Sequence, residues 1–169
     1  MTLALENLVL STTMTQGKTL EPDTSGAREF LQYEPSSNTN LPLSEERKIE
    51  LITRQITSLL ELPEKWDGEK AQHVSEIAAQ RAASITYLVS GDYADLAQFF
   101  PTPIGGIQVE WFVNGNELEI EIDNKGNAFV ASVDEKGTTL FEQEFSLNDV
   151  TILKKIKQEI ERLSLKLRK

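Results

Sequence analysis

The sequence predicts an α+β fold: two N-terminal helices, a four-stranded antiparallel β-meander and a C-terminal helix packed on the sheet. Three observations predict it. Apolar residues recur every three or four positions up to Val89, alternate with polar ones from Gly106 to Phe145, and return to helical spacing after Ser146. The alternating runs are separated by Asn114-Gly115, Asn124-Lys125-Gly126 and Glu135-Lys136-Gly137, and each connection supplies the glycine that a short hairpin loop requires. A stiff Pro101-Thr102-Pro103 segment feeds this region through Gly105-Gly106.

Taken in order, Leu3, Leu5, Leu8, Val9 and Leu10 suit an edge strand or short helix. Residues 11–42, rich in Ser, Thr, Asn and Pro, make residues 1–42 as a whole read as a flexible or surface-draped N-terminal arm before a single domain over 43–169. Ser44 is a good N-cap and Glu45-Glu46 suit the positive end of a helix dipole, so a first helix begins there. Ile49, Ile52, Ile56, Leu59 and Leu60 form its stripe, and it stops before Pro63. A second helix is expected from about Glu69 to Val89, with Val74, Ile77, Ala78, Ile85 and Leu88 on one face. Gly91 ends it, and Asp92 opens a short turn through Leu96 and Phe99.

Strands are expected at 106–113, 117–123, 127–133 and 138–145, joined as a meander. Whether Asn114-Gly115 or Gly115-Asn116 makes the turn, Ile107, Val109 and Trp111 share a face with Leu118, Ile120 and Ile122. That face is the core. Ser146 to Asp149 provides a capping-box variant for the last helix, whose stripe is Leu153, Ile156, Ile160, Leu163 and Leu167.

Composition narrows the function classes. With no cysteine in 169 residues, disulfides, zinc-thiolate sites and thiol nucleophiles are excluded. No apolar run approaches a membrane span, and the N-terminal stretch lacks a basic n-region, so a soluble cytoplasmic protein is expected. The net charge of −10 is unevenly spread: residues 101–150 hold 2 basic and 10 acidic side chains, residues 151–169 hold 7 basic and 2 acidic. An acidic sheet repels nucleic-acid backbone and attracts a basic protein. The basic tail helix is explained as well by pairing with that sheet as by nucleic acid, and a homo-oligomer through it is an alternative.

The outward face of the first hairpin carries Gln108, Glu110 and Phe112 beside Glu117, Glu119, Glu121 and Asp123. Solvated charge is the simplest reading of these acids. A basic protein partner is the functional one, with Glu110, Phe112, Glu119, Glu121 and Asp123 as candidate contacts and Phe112 as the exposed aromatic anchor. A metal site would need more than alternating carboxylates, since no His or turn ligand completes the set. No cofactor motif is present: Gly105-Gly106 precedes a strand and lacks the Lys-Ser/Thr of a phosphate loop. Trp66-Asp67-Gly68 reads as a packed turn. His73, the lone histidine, stands two positions from Ser75, which points the two apart on a helix and argues against a triad with Asp67.

Trp66-Asp67-Gly68, then Pro101-x-Pro103-x-Gly105-Gly106-Ile107-x-Val109-Glu110-Trp111, then Leu118-Glu119-Ile120-Glu121-Ile122 resembles the pattern of a widespread family of small uncharacterised bacterial proteins. It covers roughly residues 60–135, and departs from the usual form at Glu69-Lys70. The resemblance implies no catalytic residue; it implies an antitoxin or immunity-like role beside toxin, defence or mobile-element genes. The function expected is therefore non-enzymatic protein binding, with a structural or assembly subunit, or a metal-dependent hydrolase, as alternatives.

Overall fold

A computed structural model describes residues 43–165; the expected N-terminal element, the arm over 11–42 and Leu167 lie outside them. Helix α1 spans Glu45–Leu60. The Ser44 hydroxyl accepts the Arg47 N–H at 3.2 Å, and Glu45 and Glu46 occupy the first turn, as the capping pattern predicts. Leu51, Ile52, Ile56 and Leu59 are buried.

The second helix, α2, spans Glu76–Ser90 and so begins later than the expected Glu69. The preceding backbone is engaged elsewhere. Asp67 Oδ1 accepts the N–H groups of Glu69 and Ala71, while Gln72 N donates to Pro103 O and Ser75 N to Gly105 O. A helix start at Glu69 would break these bonds. Its buried face also differs: Ile77 and Leu88 are about half-exposed, whereas Ala78, Ala79, Ala82, Ala83, Ile85, Thr86 and Val89 are buried. Large aliphatics dominate a periodicity reading, but here alanines let α2 approach its neighbours closely.

Gly91, at a φ of 54°, ends α2 and opens a 3₁₀ helix over Gly91–Leu96. Among the described residues the sheet has five strands rather than four: β1 Gln98–Pro101, β2 Ile107–Val113, β3 Asn116–Ile122, β4 Ala128–Val133 and β5 Thr139–Phe145. They lie in the order β1-β2-β3-β4-β5, and each pairs antiparallel with the next. The added strand β1 contains Phe99, which the sequence placed in a turn. It is four residues long, and it stands at the edge of the described strands, where Pro101 is tolerated.

Between β2 and β3, Asn114 and Gly115 both have positive φ, 50° and 76°, as a type I′ turn demands. The register is the one an Asn114-Gly115 turn dictates: Trp111 opposite Leu118, Val109 opposite Ile120, Ile107 opposite Ile122. The next two connections share one design. Asp123 and Asp134 each accept backbone N–H groups two and four residues on, and Gly126 and Gly137 supply positive φ.

Helix α3 spans Val150–Leu165, and Asp149 caps it through the Ile152 N–H at 3.1 Å. Ile152, Ile156, Ile160 and Leu163 join the inward residues of the sheet, α1 and α2 in a single core around Trp111. Ser132 Oγ of β4 donates to Glu159 Oε1 of α3 at 2.7 Å, and the Lys155 ammonium lies 3.9 Å from the Phe141 ring centroid on β5. Thus α3 lies on the inner side of the sheet. Its lysines are not paired with the outward acids: the ion pairs among the described residues, Arg47–Glu50, Lys48–Glu45 and Arg162–Glu159, all lie within helices. No helix among the described residues is long and apolar enough to cross a membrane.

Candidate functional site

Strand alternation assigns every other residue of the sheet to the face away from the helices. Those positions are Gln98 and Phe100 on β1, Gln108, Glu110 and Phe112 on β2, and Glu117, Glu119 and Glu121 on β3. They continue through Phe129, Ala131 and Val133 on β4 to Glu142 and Glu144 on β5. None of the five strands contains Lys, Arg or His. Six carboxylates therefore share one face without a strand-borne cation.

The centre of charge is on β2 and β3. Glu110 stands directly opposite Glu119, and carboxylate oxygens of Glu110, Glu117 and Glu119 lie within 4.8 Å of one another. Gln108 Nε2 donates to Glu110 Oε1 at 2.6 Å. Partial burial, then the neighbouring Glu117 charge, hold the Glu110 carboxyl above its ordinary pKa despite that bond. Glu119 is raised for the same first reason, followed by the charges of Glu110, Glu117 and Glu121. Such an oxygen-only set suits hard cations, and equally suits an incoming ammonium or guanidinium.

Of the five residues singled out from sequence, Glu110, Phe112, Glu119 and Glu121 share this face, with Phe112 62% exposed. Asp123 sits just beyond β3, and its carboxylate is occupied by the turn. It accepts from Asn127 Nδ2 at 2.7 Å and from the Lys125 and Asn127 backbone N–H groups, which hold its pKa below the usual range.

Glu142, Glu144, Phe129, Ala131 and Val133 complete the face and were not singled out. Their signal was present in the same period-two alternation of β4 and β5. Only the pairing brings these residues beside the first hairpin.

The remaining motifs hold the chain together. Gly106 N donates to Thr102 Oγ1 at 2.9 Å, and a Cβ on Gly106 would stand 2.4 Å from the Ile122 carbonyl oxygen. A Cβ on Gly105, at a φ of 81°, would stand 2.7 Å from the His73 carbonyl oxygen. The glycine pair thus permits close backbone approach. Ser75 caps α2 and donates its proton to the Asn124 carbonyl, and Asp67 accepts from backbone, so neither side chain serves His73, which is exposed. Trp66 is half-buried beside this turn. An open cleft of about 450 Å³, lined by Lys48, Asp92, Lys157 and Glu161 among others, lies on the helical side and mixes both charge signs.

Comparison with protein-family models, with curated proteins and with solved structures gives no match.

Proposed function

We propose that this protein is a non-enzymatic binding module whose outer sheet face captures a basic surface of another protein. The observation that carries the reading is the acidic character of this face: six glutamates, no strand-borne base, and Phe112 and Phe129 exposed among them. Clustered carboxylates with raised pKa values have a standing electrostatic cost, which an arriving Lys or Arg relieves. Exposed aromatics amid the charge supply contact area that charge alone does not. Capture would act by steric and electrostatic occlusion, in the manner of an antitoxin or immunity protein of a defence or mobile-element locus; support for that setting comes from the sequence resemblance.

The alternative of an assembly subunit built on α3 is less well supported. Among the described residues, Ile152, Ile156, Ile160 and Leu163 of α3 are consumed by its own core, and its exposed apolar residues Val150 and Leu165 stand at opposite ends of the helix rather than in a stripe. A metal-dependent activity would rest on Glu110, Glu117 and Glu119, and calorimetric titration with Mg²⁺ or Ca²⁺ tests it: no heat removes that reading.

The deciding experiment is affinity capture from the native host with wild type and the Glu119→Lys/Glu121→Lys variant as baits. The variant should stay folded by circular dichroism and lose the basic partner that wild type retains. Unchanged capture by the double variant at low salt sinks the proposal.

A further inference from the structure

We infer that the outer face is a groove for an amphipathic helix whose apolar stripe is flanked on both sides by lysines or arginines. The inference rests on the acidic-face reading and names what docks there. Its basis is the layout of the face as well as its charge. Register places Glu121, Phe129 and Glu144 in one cross-strand row, and Glu119, Ala131 and Glu142 in the next. The third row holds Glu117, Val133 and Thr139. The face is therefore striped: acids along β3, an apolar floor along β4, and acids again along β5.

The dimensions select a helix. Walls two strand spacings apart stand about 10 Å from each other, close to the diameter of about 10–12 Å of a helix with its side chains. Ala131, the smallest side chain of the floor, lies at its midpoint between Glu119 and Glu142, where a helix would approach closest. An extended peptide suits this face poorly. Strands bind at sheet edges through backbone bonds, whereas a face offers only side chains. Laid over an apolar floor, an extended backbone would leave its N–H and C=O groups unbonded; a helix satisfies its own. A purely basic coil would meet the walls and leave Phe129 and Val133 uncovered. A second copy of this chain is disfavoured by the net charge of −10 on each copy and by the burial of the apolar stripe of α3.

Three labelled synthetic peptides of equal Leu and Lys content test this by fluorescence anisotropy. One has a leucine stripe flanked by lysines at helical spacing, one is scrambled, and one alternates Leu and Lys. The helical design should bind about tenfold or more tightly than the other two and gain helical circular dichroism on binding. Ala131→Lys, which fills the floor, and Glu119→Gln/Glu142→Gln, which neutralises the walls, should each weaken it about tenfold while thermal unfolding stays cooperative. These variants alter different strands, so misfolding of one leaves the other to decide.

Equal binding of all three peptides overturns the groove and leaves the acidic face standing, as does preference for the alternating peptide. Unchanged affinity in both variants places the peptide elsewhere and overturns the groove. If no peptide binds even at low salt, the acidic-face reading falls with it. Concentration-dependent self-association of wild type, abolished by Glu119→Gln/Glu142→Gln, makes a second copy the occupant and overturns the helix assignment.

Discussion

Glu119 sits where three like charges converge, from Glu110 across the strand pair and from Glu117 and Glu121 on its own strand. Its raised pKa has a definite thermodynamic sign. Between the ordinary glutamate value and the raised one, the native state holds more protons than the unfolded chain. That contribution to stability is present at lower pH and is lost as pH rises through the folded pKa. Glu119→Gln should therefore raise stability at neutral pH by about 0.5 kcal/mol, roughly 2 °C in Tm. The gain should shrink as pH is lowered into the ordinary carboxylate range, measured by thermal melts at stepped pH. Asp67, Asp123 and Asp134 have the opposite sign. Bonds from backbone N–H groups, joined at Asp123 by the Asn127 side chain, lower their pKa values, so their contribution disappears only below the ordinary aspartate range. Gly106 gives a steric prediction at the same scale. Gly106→Ala must displace the Ile122 carbonyl or Thr102, and should cost about 1–3 kcal/mol in urea denaturation.

Elements were legible in proportion to how local their causes are. The β2–β3 hairpin follows from the Asn114-Gly115-Asn116 turn residues and strict alternation, so its buried face was readable in the sequence, and the choice of Asn114-Gly115 as the turn fixes the register. Helix α3 follows from its stripe and from Asp149; Asp149→Ala should cost about 1 kcal/mol by removing the bond to Ile152 N–H, read by chemical denaturation. Strand β1 was not readable as a strand. Four residues ending in proline carry too little alternation, and only pairing of Gln98–Pro101 with Ile107–Glu110 defines it. The start of α2 was misplaced for a related reason. Residues Glu69 to Ser75 have acceptable helix composition, but their backbone bonds go to Asp67 and to the loop after β1.

For the whole molecule, the two sides of the sheet have separate tasks. The inner side holds α1, α2 and α3 on one core; no helix among the described residues covers the outer side. Truncation of residues 147–169 removes Ile152, Ile156, Ile160 and Leu163 from that core, and should abolish cooperative unfolding, measured by thermal melts. A truncated chain that still melts cooperatively would mean that α3 is accessory to the fold. Among the described residues, Lys154, Lys155 and Lys157 of α3 lie across the sheet from the acidic face, so these three do not provide the internal neutralisation that the composition allowed.

By itself the sequence determined the α+β class, the helix–meander–helix order, the first hairpin with its buried face, and the split between buried Trp111 and outward Glu110, Glu119 and Glu121. Periodicity, turn chemistry and capping act over a few residues, and those are written locally. Tertiary structure decided the fifth strand, the late start of α2 and the joining of Glu142, Glu144 and the β4 floor to the first hairpin. These depend on which backbone groups meet across long stretches of chain, and no local pattern encodes that.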